Sequence, residues 1–261
     1  MQINGTDLNV QQTGAGTPVL MLHGLGSNIG ALEPEIERFS RAFRVIAVDS
    51  RGHGHSGKPA AYTLEDHIGD VLALMDALEL ETADLIGSSA GSYVAQGAAA
   101  RQPERVNRLV LITPKSNGKT SSVARFVSEH AEALRGRSQA EVQAFVTEHL
   151  FAPQTPAEVR RQMADFARQQ QQDGLALTPE QESAAQRALE GFDLRPVLPR
   201  ITAPTLVVSG RHDPLNPVAD GEEVARLIPN ARFEVLEHSG HLPGREEPER
   251  LWGLVEAFLQ S

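Results

Sequence analysis

The chain contains no cysteine in its 261 residues. Disulfides, thiolate metal sites and cysteine nucleophiles are therefore excluded. No stretch approaches the roughly 20 apolar residues of a membrane span. Positive charge is in deficit: 24 Lys and Arg stand against 34 Asp and Glu, for a formal net charge of −10. Nucleic acid and anionic membrane surfaces both favour cationic partners, so neither is expected to bind. The N-terminal MQINGTDLNVQQTG lacks the basic segment leading into an apolar one that marks a secretory signal, which makes cytoplasmic placement the expectation.

What is present suits a folded α/β protein. Apolar residues make up 40% and charged ones 22%, enough to bury a sizeable core and stay soluble. The length is that of one large domain, or of one domain carrying an insertion. Short apolar runs alternate with amphipathic stretches: PVLMLHG (18–24), FRVIAVD (43–49), ADLIG (83–87), RLVLIT (108–113), PTLVVSG (204–210) and ARFEVLE (231–237). Partly β-branched runs of this length, separated by helical pattern, predict a parallel sheet with helices on both faces. Between them Ile68, Val71, Leu72, Met75 and Leu78 share one helical face. Leu251, Leu254, Val255 and Phe258 do the same near the C-terminus. With residues 1–12 read as one or two further antiparallel strands, the expected architecture is a mostly parallel sheet of about eight strands.

The alternation stops after Ile112. From 115 to 193 only helical pattern remains, with start signals at Ser138/Glu141, at Thr155-Pro156-Ala157-Glu158 and at Thr178-Pro179-Glu180-Gln181. About four short helices are expected there, inserted as an all-helical lid into a core formed by 1–114 and 194–261. Open α/β sheets bind ligands beyond the carboxyl ends of their strands, so the residues just after each apolar run carry the chemistry.

GSSAG (87–91) follows one such run and precedes an alanine-rich helical stretch. A sharp strand-to-helix turn lifts its central residue above the sheet and needs small neighbours two positions either side. Centred on Ser89, those neighbours are Gly87 and Gly91; centred on Ser88, one would be Ile86. Ser89 is thus the candidate nucleophile. A serine hydroxyl needs a base, and the base an orienting carboxylate. Asp213 stands just past the run PTLVVSG, and His238 and His241 follow ARFEVLE, giving the chain order Ser, Asp, His. Position alone leaves the two histidines in competition. A developing oxyanion also needs donors. The N–H of Ala90, next after the nucleophile, supplies one, and the glycine-flanked Leu25 in His23-Gly24-Leu25-Gly26 the other. His53-x-His55 suggests a metal, but no Asp-His follows it, and no metal is expected.

HGLG (23–26), DSRGHGHS (49–56), GSSAG (87–91), GRHD (210–213) and SGH (239–241), in this order and each after a strand, resemble the successive signatures of the α/β-hydrolase superfamily. The resemblance covers the chain apart from the lid. It implies Ser89 as nucleophile, His241 as base, Asp213 as acid, and Leu25 and Ala90 as oxyanion donors. The stretch 43–113 is similar to the enol-lactonase and carboxylesterase branch. Ser88 stands where many members have His or Asn, and Gly91-Ser92 where many have Gly-Gly. The implied activity is hydrolysis of a small-molecule carboxylic ester or lactone through an acyl-enzyme, without a cofactor. Carbon–carbon bond hydrolysis of dienoate ring-fission products, and a non-turnover ligand receptor on the same fold, are the alternatives.

Overall fold

The computed structural model describes residues 1–261, the side chains of residues 139 and 140 apart. Its strands are β1 (Gln2–Ile3), β2 (Thr6–Asp7), β3 (Val10–Thr13), β4 (Pro18–Leu22), β5 (Arg44–Val48), β6 (Ala83–Ser88), β7 (Val106–Ile112), β8 (Thr205–Gly210) and β9 (Ala231–Leu236). The first helices are α1 (Glu33–Phe39), α2 (Leu64–Ala77) and α3 (Ala90–Arg101). Then come α4 (Ser122–Glu129), α5 (Gln139–His149), α6 (Ala157–Gln172) and α7 (Pro179–Arg187). The chain closes with α8 (Val218–Leu227), α9 (Pro243–Glu246) and α10 (Pro248–Leu259).

All six apolar runs form strands of one seven-stranded sheet, ordered β3-β5-β4-β6-β7-β8-β9. Every pairing is parallel except β3 on β5. The N-terminal residues divide: β3 joins this sheet, whereas β1 and β2 pair only with each other. Their two-residue turn, Asn4-Gly5, has both residues at positive φ (47° and 77°), the twist that a tight hairpin requires.

The strand side chains alternate between two cores. Leu20, Leu22, Ile46, Val48, Leu85, Leu109 and Leu111 pack on one face with residues of α2 and α3. Val19, Met21, Val45, Ile86, Val110 and Ile112 pack on the other with α1 and α10. Fully burying one such side chain contributes about 1.5–3 kcal/mol, so both faces hold the sheet. After β4 the chain moves outward to β5, then returns past β4 to form β6 on its other side. The carboxyl ends of β4 and β6 therefore flank the point where strand order reverses, the crevice that open sheets use for ligands.

Between β7 and β8 lie α4 to α7. The two ends of this segment run side by side: Asn117 bridges Asp193, and the Leu194 N–H donates to Ser116 O at 2.9 Å. Ser138 and Thr178 form the expected capping boxes. Thr155 does not cap. Pro156 is extended (φ −56°, ψ 142°), α6 starts one residue later, and the Thr155 hydroxyl instead donates to Glu246 at 2.6 Å.

One carboxylate sits inside the sheet with no side-chain hydrogen-bonding partner. Asp84 of β6 is fully buried. Burial pushes its pKa up to about 6, with the Arg108 charge and backbone N–H opposing only in part. The folded chain therefore holds Asp84 protonated below about pH 6, whereas an unfolded carboxyl ionises near its ordinary value of 3.8. Stability from this group is fully present below that lower value and is lost as pH rises through the higher one. Asp84→Asn removes the dependence, so between pH 4 and pH 7 the variant gains about 2 kcal/mol on the native chain. Denaturant unfolding of both proteins at the two pH values measures this, and identical pH profiles would refute it.

Candidate active site

The turn between β6 and α3 fixes the site. Ser89 has φ 50° and ψ −118°, a left-handed conformation that costs a residue bearing a Cβ about 1–2 kcal/mol. Glycines make the bend possible: a Cβ on Gly87 would strike the Gly91 carbonyl, and one on Gly91 the Leu22 carbonyl. The Ser89 N–H donates to Ile112 O at 2.9 Å, and the buried Ser92 hydroxyl donates to Ser89 O at 2.6 Å. Ser89 consequently stands at the N-terminus of α3, whose first-turn N–H groups have no intrahelical acceptor.

Across 152 residues of sequence, His241 Nε2 lies 2.9 Å from Ser89 Oγ. His241 Nδ1 lies 2.8 Å from Asp213 Oδ2. The carboxylate accepts at Nδ1, which places the proton there and leaves the Nε2 lone pair facing the hydroxyl. Asp213 is buried, and its other oxygen accepts from the N–H groups of Leu215 and Asn216 at 2.8 and 2.9 Å. His238 and His212 take no part. Both are exposed, and His238 Nδ1 lies 3.3 Å from Gln154 Nε2 on the surface.

Leu25 and Ala90 line a common cleft beside this constellation. Behind it, the loop 49–56 is braced by Asp49, which accepts from the N–H groups of Ile29 and His55 at 2.7 and 2.9 Å. His23 ties the loop after β4 to that brace: Nδ1 bonds Gly24 O at 2.8 Å, and Nε2 accepts from the Ser50 N–H at 3.0 Å. Burial drives its pKa down to about 4, with nearby His53 adding to the effect. Burial likewise lowers His53, and His67 falls to about 3. These imidazoles are neutral at neutral pH. His53 is buried while His55 is exposed, so the pair does not converge. Among the described residues no group of three or more His, Cys, Asp or Glu could hold a metal ion.

A family model described as the alpha/beta hydrolase fold matches residues 17–248. The chain belongs to the alpha/beta hydrolase fold family. Among its relatives is 3-oxoadipate enol-lactonase 2 of Acinetobacter baylyi, 31% identical over 94% of this chain and 90% of that protein. The 2-hydroxymuconate semialdehyde hydrolase of Pseudomonas sp. strain CF600 is also 31% identical, over 98% and 91%. The crystal structure of the enol-lactonase from Burkholderia xenovorans LB400 superposes with a TM-score of 0.83 at 29% identity, covering 100% of this chain and 99% of that one. At the family level these likenesses support hydrolysis of esters or lactones. Among the described residues no helix of this hydrolase is long and apolar enough to cross a membrane.

Two residues of this candidate site escaped the sequence reading. Glu246 collects four donors: the N–H groups of Gly240, Leu242 and Ala152, and the Thr155 hydroxyl. It thereby pins the loop carrying His241 to the segment between α5 and α6, and the His241 N–H also donates to Leu150 O there, at 2.6 Å. Asn216 stands at the Asp213 end. Its backbone donates to Asp213, its amide donates to Tyr93 Oη and Thr113 O, and its oxygen accepts from Ser122 of α4. Within REEPER (245–250) Glu246 looks like one solvated charge among several. A Gly-His followed five positions on by Glu was the only available signal.

Glu246→Gln keeps the side-chain volume but turns an amide N–H₂ toward backbone donors. Leaving such buried groups unpaired costs about 1–3 kcal/mol, and a base displaced by an ångström can lose about 10²-fold in rate. We expect a lower unfolding midpoint together with a fall in kcat of tenfold or more, read by thermal unfolding and steady-state kinetics. Native values for both would show that the clamp does not matter. Gly91→Ala is expected to destabilise by about 2 kcal/mol or more through the collision with Leu22, and an unchanged midpoint would contradict it.

Proposed function

We propose that this protein is a serine hydrolase of carboxylic esters or lactones, with Ser89 as nucleophile, His241 as general base and Asp213 as the group that orients it. The observation that carries the reading is the unbroken chain of contacts from Ser89 Oγ through the His241 ring to Asp213, at 2.9 and 2.8 Å. Ser89 Oγ attacks the carbonyl carbon as its proton passes to His241 Nε2. The oxyanion is held by the N–H groups of Leu25 and Ala90, each such donor being worth about 3 kcal/mol. His241 returns the proton to the leaving alkoxide, giving the acyl-enzyme and the alcohol. Water, deprotonated by the same imidazole, then attacks the acyl carbon and releases the acid and Ser89. Asp213 stabilises the imidazolium formed in each step. These residues complete the cycle without a cofactor.

Residues 115–193 serve in this reading as a lid over the carboxyl edge of the sheet, and residues 1–114 and 194–261 as the core. Of the lid's apolar residues Phe126, Val146 and Phe151 are buried, whereas Val123, Val127, Phe145, Met163 and Phe166 are half-buried. Likeness to proteins named enol-lactonases favours esters and lactones. Likeness to 2-hydroxymuconate semialdehyde hydrolases supports a second reading, carbon–carbon bond hydrolysis by the same residues. Turnover of a nitrophenyl ester series against a dienoate ring-fission product separates the two.

A fluorophosphonate should label the folded protein on Ser89, as located by peptide mass spectrometry. Ser89→Ala should abolish labelling and lower kcat on a short nitrophenyl ester by at least about 10³-fold. An adduct on another residue, or turnover that survives the substitution, would overturn the assignment.

A further inference from the structure

The cleft beside the candidate oxyanion donors has a second wall that the proposed chemistry does not use. Its lining includes Leu25, Ala90, His53, His67, Ala185 and Leu189. The last two belong to α7 and the residues just after it, and give one side an apolar surface. The loop 49–56 and α2 supply the imidazoles of the other.

His53 is the exceptional member. It is 3% exposed, and its Nδ1 lies 3.0 Å from the Arg51 carbonyl. A carbonyl only accepts, so Nδ1 carries the ring proton, and Nε2 of the neutral ring is left as a lone-pair acceptor. That Nε2 is buried and has no hydrogen-bonding partner. Neighbouring His23, packed edge-on at 5.3 Å, has both of its nitrogens engaged within the protein. In this respect His53 differs from His23 beside it. Buried polar atoms in folded proteins nearly always find partners, and an orphan calls for one.

We propose that this cleft is a subsite for an uncharged, hydrogen-bond-donating group of the substrate, a hydroxyl or an amide N–H, with His53 Nε2 as its acceptor. The proposal rests on the serine-hydrolase reading and specifies which substituent the ester or lactone carries. Charge points the same way. Burial keeps His53 and His67 neutral, and neither Lys nor Arg is among the described residues lining the cleft. A substrate carboxylate would find no cation there.

The test compares kcat/KM for ethyl butanoate with that for ethyl 2-, 3- and 4-hydroxybutanoate and for monoethyl succinate. At least one hydroxy ester should exceed the parent by about tenfold or more, chiefly through KM, and the charged ester should fall below it. In His53→Phe, which keeps a ring but no acceptor, the ratio of hydroxy ester to parent should collapse toward one. In His53→Gln, whose amide oxygen accepts, part of it should return. The proposal is overturned if the native protein hydrolyses all four neutral esters alike, if it prefers the succinate, or if the ratio survives in His53→Phe. The native comparison decides even where a variant fails to fold. Ser89→Ala serves as the control: hydrolysis of ethyl butanoate that persists in it defeats the nucleophile assignment instead, and the two failures are thereby told apart.

Discussion

The structure depends on one strained residue. Ser89 adopts a positive φ at the junction of β6 and α3, and nothing about a serine favours that conformation. Its surroundings enforce it. β6 is buried between β4 and β7 in the middle of the sheet, and α3 is buried from Gly91 through Ala100. Two elements anchored this firmly, joined without a loop, dictate the turn between them and leave room only for glycine at 87 and 91. The strain is offset by core packing elsewhere, and the result is a hydroxyl held above the carboxyl edge where strand order reverses.

Around that fixed point the partners are held from two directions. The sheet supplies the coarse positions, since Asp213 follows β8 and His241 follows β9. The fine positions come from contacts with the helical segment between β7 and β8. Glu246 and Leu150 tie the His241 loop to the stretch before α6, and Asn216 ties Asp213 to Ser122 of α4. Glu247 adds a further brace by accepting from the His238 N–H and the Ser239 hydroxyl, at 2.9 and 2.7 Å. The helices between β7 and β8 and the loop carrying His241 are thus tied together. Displacing that segment would disturb Asp213 and His241 together.

Much of this was legible in the sequence, for identifiable reasons. Strands buried on both faces read as continuous apolar runs, so β4 to β9 were visible. β1 and β2 were not separable from β3, because two-residue strands carry no periodicity. The glycines flanking Ser89 singled it out from Ser88 by sterics alone. His241 and His238 could not be separated by spacing, since both follow β9 within five residues of its end. What distinguishes them is burial and aim, which only the three-dimensional arrangement supplies. Thr155 was misread because a Thr-Pro pair signals a cap wherever it occurs, and the competing acceptor, Glu246, lies 91 residues away. Long-range carboxylate contacts of that kind leave no local pattern.

The central claim is that Ser89, His241 and Asp213 work as one device and not as three independent contributors. A double-mutant cycle on kcat tests it directly, using Ser89→Ala, His241→Ala and the combined variant against a short nitrophenyl ester. Groups that act as a unit are strongly non-additive. All three variants should fall to the same residual rate, the second substitution costing nothing once the first is made. Losses that multiply in the double variant would contradict the account.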